Sequence, residues 1–257
     1  MKQFSIGAII LLGLLLGLSI VHARELRVAI FDTGFCIDQL PRHRAIRIKP
    51  IIDHAGDFSK ARHCQKMDRK NRHLHGHWVL KNFIENYRGK QKVVLTPHII
   101  FNRHGQQFWQ YWHKALQSKI DILILAVGFP ISKTNSTPLP AITFAASGGW
   151  GGAVKAGQKF WPMDLNDKKL ILIGGDLENE LGLAPLYDKK LLYQNKISYY
   201  FSGGNSKTPL RGSSRAVGIA AGRALGLCFE LKSLQQCLHK KRKKYPFYLR
   251  KRPAYSF

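Results

Sequence analysis

Apolar residues in this chain gather into short unbroken runs. Arg27-Val28-Ala29-Ile30-Phe31, Lys92-Val93-Val94-Leu95, Ile120 to Gly128, Ala141 to Ala146 and Leu170-Ile171-Leu172-Ile173 are the clearest, and most run into Asp or Gly. A run that is apolar at successive positions leaves no face for solvent, so these segments predict strands buried on both sides. Between them the period lengthens. Trp78, Leu80, Phe83 and Ile84 form one stripe of a helix that begins at or just after His75, and Phe108, Trp109, Tyr111 and Trp112 mark an aromatic helix packed on the core. Ala216, Gly218, Ala220, Ala221 and Gly222 mark a third helix, small enough to cross a crowded interior. Residues 38–72 are irregular and basic, which predicts loops around one short strand near residues 45–52. The whole reads as an α/β fold, a mostly parallel sheet covered by helices on both faces, with its site at the C-terminal ends of the strands. No strand leads into G-x-G-x-x-G, which argues against a dinucleotide cofactor.

Composition narrows the setting. With 257 residues and 45% hydrophobic content, one domain can bury a full core without disulfide support. Lys+Arg of 41 against Asp+Glu of 15 gives a formal charge of +26, a field that favours anionic partners. Residues 1–23 read as a signal peptide, with Lys2, an apolar run over residues 4–19 and Val21-His22-Ala23 before cleavage; an uncleaved anchor over residues 4–21 is the alternative. Either way the chain is exported, periplasmic or secreted, so envelope material or protein is a better partner than nucleic acid. Export also permits disulfides, for which Cys228–Cys237 and Cys36–Cys64 are the expected pairs and free buried thiols the alternative. Four cysteines this far apart do not make a zinc site. Residues 24–237 form the expected domain. Residues 238–257, with Lys240-Lys241-Arg242-Lys243-Lys244 and Arg250-Lys251-Arg252, form a basic tail that is either simply solvated or holds to an anionic envelope surface.

Three sparse signals carry chemistry. Asp32-Thr33-Gly34 delivers a carboxylate into a turn at a strand end. The same triplet serves aspartic proteases, but this chain has no second copy and would have to dimerise to use it. His73, His75 and His77 alternate, which would suit a metal only on a strand; His73 and His77 otherwise read as a solvated loop, and His75 as a loop residue or a base. Ser214 stands in the first turn of the small-residue helix, where unpaired N–H groups and the helix dipole favour a developing negative charge.

Aspartate, histidine and serine in that chain order match the subtilisin triad, and the surrounding residues resemble the subtilisin-like serine peptidases in five ordered blocks. Val28 to Gly34 resembles the aspartate block, His75-Gly76-His77-Trp78-Val79 the histidine block, and Gly212-Ser213-Ser214-Arg215-Ala216 the serine block. Leu125-Ala126-Val127-Gly128 resembles the substrate-lining strand, and Phe144 to Gly149 the block that carries the oxyanion asparagine. The resemblance implies an endopeptidase acting on peptide or protein substrates; a monomer is expected, and with no acidic loop in the sequence no cofactor or metal is expected. In it Ser214 is the nucleophile, His75 the general base and Asp32 its orienting partner. It also implies that Ala126, Val127, Gly128 and Gly148 bind substrate by strand addition, and that the Ser214 N–H helps hold the oxyanion. Gly149 takes the asparagine's place, so the oxyanion hole is weakened unless the Trp150 N–H or a water substitutes. An inactive relative that binds a protein partner or anionic envelope material is the alternative.

Overall fold

The computed structural model describes residues 25–56, 64–65, 72–101, 109–130, 138–148, 159–179, 182–184, 197–204, 207–249 and 252–256. The proposed signal segment lies outside these residues. Strands β1 (Leu26–Asp32), β2 (Ile46–Ile48), β3 (Ile52–Asp53), β4 (Val93–Ile99) and β5 (Ile122–Leu125) form one half of the main sheet. Two short strands, β6 (Phe129–Pro130) and β8 (Phe160–Trp161), pair with each other outside it. The main sheet continues with β7 (Ile142–Ala146), β9 (Leu170–Asn179), β10 (Gly182–Ala184) and β11 (Tyr199–Ser202). Its order is β10-β9-β7-β5-β1-β4-β2, with β11 on β9 and β3 on β4, and every pairing is parallel except β10 with β9. The protein is an α/β fold with a mostly parallel sheet.

β1 shows why its run has no polar face. Val28 and Ile30 enter one core, packed with helices α1 (His75–Asn86) and α3 (Ser213–Leu227), while Ala29 and Phe31 enter a second core with Trp112 of α2 (Trp109–Leu116). Successive side chains of a strand point to opposite faces, so helices on both sides require apolar residues at every position.

Several elements differ from the sequence pattern. The single strand expected near residues 45–52 is two short strands, β2 and β3, with Pro50 in the break between Ile48 and Ile52. β4 continues to Ile99 through Pro97. Val93 N–H, Lys49 N–H and His54 N–H form bonds on the outer side of β4, at its residues 93, 95 and 99, so position 97 faces the gap between β2 and β3. A proline there forfeits no ladder bond. β9 runs past Gly174-Gly175, and the expected tail carries secondary structure: α4 (Leu234–Lys241) crosses position 238, and β12 (Lys243–Leu249) pairs antiparallel with β13 (Arg252–Ser256). Both expected disulfides form, with Cα separations of 5.6 Å for Cys36–Cys64 and 5.9 Å for Cys228–Cys237.

Candidate active site

The site begins where β1 ends. Asp32 is fully buried, and its Oδ1 accepts the Thr33 N–H at 2.7 Å. His75 opens α1 and donates from Nδ1 to the same carboxylate, 2.8 Å from Oδ1 and 3.0 Å from Oδ2. The turn and the helix start are tied together by backbone. Gly34 N–H donates to His73 O at 2.6 Å, His77 N–H to Gly34 O at 3.1 Å, and Gly76 N–H to Thr33 Oγ1 at 3.2 Å. Glycine is required at position 76, because a Cβ there would lie 2.7 Å from Asp32 Cβ and 2.8 Å from the Phe35 ring. Burial disfavours the imidazolium of His75, but the charge and hydrogen bond of Asp32 outweigh it, so its pKa stands above the ordinary value. With Nδ1–H held by the carboxylate, Nε2 is the basic nitrogen of the neutral ring.

Ser214 reaches the same edge from α3. Gly212 precedes the helix with φ +78°, and a Cβ on Gly175 would meet Gly212 and Ser213 backbone at 2.5–2.6 Å, so β9 touches the helix start directly. Ser214 Oγ donates to the Ala126 carbonyl at 3.4 Å. Ala126 directly follows Leu125, the last register partner on β5 and paired with Phe31, so it stands at the same edge of the sheet as Asp32.

Helix register completes the geometry. A Cβ on Gly218 would fall 2.6 Å from Val79 O, one on Gly222 2.5 Å from Phe83 O, and one on Gly226 3.0 Å from Arg88 N. α1 and α3 therefore run side by side in the same direction, in steps of about one turn. One turn before Gly218 and Val79 stand Ser214 and His75. No hydrogen bond joins these two among the described residues; the serine hydroxyl rests on Ala126.

Ala126, Val127 and Gly128 continue from β5 after its ladder ends at Leu125, and a Cβ on Gly128 would meet Met163 Cε at 2.6 Å. Gly148 has φ +77°, with open space where a side chain would stand. Gly149 lies outside the described residues. Ser213, which the sequence pattern did not single out, donates from Oγ to the Gly148 carbonyl at 3.0 Å and so couples the start of α3 to that loop. Arg215 is a second addition, donating from Nη1 to Ser202 O at 2.8 Å and to Ser202 Oγ at 3.0 Å. A serine before Ser214 and an arginine after it were visible in the chain, but nothing there indicated their acceptors.

The other histidines correct two alternatives. His77 is buried within α1 rather than solvated, and burial, with Lys81 nearby, pushes its pKa down to about 4. His73 lies in a short 3-10 turn and His75 and His77 on a helix, so the strand that an alternating metal site needs does not form. Two further histidines pair: buried His98 Nδ1 and half-buried His54 Nε2 are 3.0 Å apart, and burial pushes His98 down to about 3. They are 44 residues apart and meet only through pairing of β3 with β4. Trp112 is core, edge-on to Phe31 at 4.9 Å and to Trp161 at 4.3 Å. No protein-family model matches the chain, and no curated protein matches it.

Proposed function

We propose that the protein is an exported subtilisin-like serine endopeptidase, with Ser214 as nucleophile. The observation that carries this reading is the convergence of an Asp32–His75 pair at 2.8 Å with a helix whose glycine register brings Ser214 opposite His75. Rotation about χ1 of Ser214, away from the Ala126 carbonyl and toward His75 Nε2, is the movement that would align the three. His75 then takes the hydroxyl proton as Ser214 Oγ attacks the peptide carbonyl. The tetrahedral oxyanion meets the Ser214 N–H, and collapse expels the amine, which receives the proton from His75. Water, deprotonated in turn by His75, releases the acyl group. Ala126 to Gly128 and Gly148 would hold the substrate backbone, and the basic residues 238–257 would hold the enzyme to anionic envelope material.

Ser214 resting on Ala126, with Gly149 in the place of the oxyanion asparagine, favours a second reading, a binding protein that keeps the triad without turnover. A fluorophosphonate probe decides between them. Wild type is expected to label at Ser214, and Ser214→Ala to lose labelling and peptide hydrolysis by at least ~10³-fold while keeping its unfolding midpoint. Labelling of wild type no faster than of the folded Ser214→Ala variant would remove the peptidase reading.

A further inference from the structure

We infer that the edge of the molecule opposite Ser214 is a docking face for an anionic phospholipid bilayer. α1 and α3 run against the strands, so the C-terminal ends of both helices share an edge with the N-terminal ends of the strands. Leu26 N–H donates to Lys92 O there, and Gly226 abuts Arg88. α3 is 15 residues long, which puts this edge about 20 Å from Ser214. The segments leading into the strands supply exposed cations: Arg44 before β2, Lys92 before β4, Lys119 before β5 and Lys168 before β9. α4 lies on the same edge, its Gln235 side chain donating to the Lys168 carbonyl, and adds exposed Lys240 and Lys241. Acids nearby are engaged locally. Asp121 is held by Arg27 and Glu25 by Arg47, and Asp167 accepts the Leu139 and Lys169 N–H groups; Glu230 is the exception, an exposed carboxylate beside Phe229 that the surrounding cations outnumber.

Amid these cations lie two apolar side chains, Leu227 at 50% and Phe229 at 52% exposure, flanking buried Cys228. The Cys228–Cys237 disulfide fixes both against α4. An anionic polymer would satisfy the lysines and offer nothing to Leu227 and Phe229. A bilayer surface takes both, since its headgroups attract the cations and its acyl boundary receives the apolar residues. The described chain begins on this edge as well, at Glu25 just before β1, and residues 4–19 of the sequence are apolar. Docked so, the catalytic edge faces away from the lipid, toward protein in the surrounding space.

Flotation of the exported protein with phosphatidylcholine vesicles, with and without roughly one third phosphatidylglycerol, tests this. Each lysine near such a surface contributes about fivefold in affinity. Anionic vesicles are expected to bind at least ~10-fold tighter than neutral ones and to release protein as salt rises. Lys240→Glu with Lys241→Glu should weaken binding at least ~10-fold. Leu227→Ser with Phe229→Ser should weaken it several-fold while leaving heparin binding unchanged. The wild-type comparison needs no variant, and an unchanged unfolding midpoint shows that the variants fold. Equal binding to neutral vesicles, or wild-type vesicle binding by the Leu227/Phe229 variant, would overturn the proposal, the latter in favour of a polymer. Ser214→Ala should bind as wild type, so this outcome is separate from that of the peptidase reading.

Discussion

Asp32 is a carboxylate with no exposed surface, and it is sustained by the Thr33 N–H and the His75 ring. The consequence for chemistry is a pH dependence with a definite sign. Because Asp32 raises the pKa of His75, the pH at which the ring loses its proton and can serve as the proposed base lies above the ordinary histidine value. Fluorophosphonate labelling of Ser214 should therefore rise with pH, with its midpoint above about 6.5. The ion pair's contribution to stability has the opposite trend, present below about 6.5 and lost as pH rises through the higher folded pKa. Asp32→Asn removes the charge and leaves burial to act alone, so the labelling midpoint should move below about 6.5 while the rate falls roughly 10⁴-fold. An unmoved midpoint in the Asp32→Asn variant would show that another group controls the profile.

Between elements, the decisive contact is the backbone approach of α1 and α3. Gly218→Ala gains about 1 kcal/mol of helix propensity, but its Cβ would stand 2.6 Å from the Val79 carbonyl oxygen, where the neighbour is backbone and cannot turn aside. Overpacking of this kind costs about 1–3 kcal/mol, which after the propensity gain leaves a net loss of up to about 2 kcal/mol, so the variant should unfold lower by up to about 8 °C. Labelling should slow as well, because separating the helices at Gly218 moves Ser214 from His75 one turn away. A variant that unfolds lower but labels at the wild-type rate would place the two residues under separate control. The strands were legible from their apolar runs, and α1 and α3 from their periodicity and small residues. β11 was not, since Tyr199-Tyr200-Phe201-Ser202 is a short stretch that becomes a strand through its parallel pairing with β9.

At the scale of the whole molecule, the two disulfides secure opposite ends of the chain. Cys36–Cys64 spans 28 residues and holds the segment after the Asp32 turn, where Gln39 also donates to Cys64 O at 2.9 Å. Cys228–Cys237 spans 9 residues and closes α3 onto α4. Loop entropy assigns them about 3.6 and about 2.7 kcal/mol. Replacing Cys36 and Cys64 by Ser should therefore lower the unfolding midpoint more than replacing Cys228 and Cys237, and should slow labelling of Ser214, since it frees the Asp32 turn. The reverse order would locate the stabilising constraint at the chain's end. By itself the sequence determined the long buried strands, α1 to α3 and the chain order Asp32, His75, Ser214, because hydrophobic period and local turn chemistry are properties of neighbours in the chain. Tertiary structure alone decided that the Asp32 carboxylate meets His75, that Ser213 holds Gly148, that His54 finds His98, and that scattered lysines gather on one edge. Those contacts join residues tens of positions apart, and only strand register and helix packing bring them within reach.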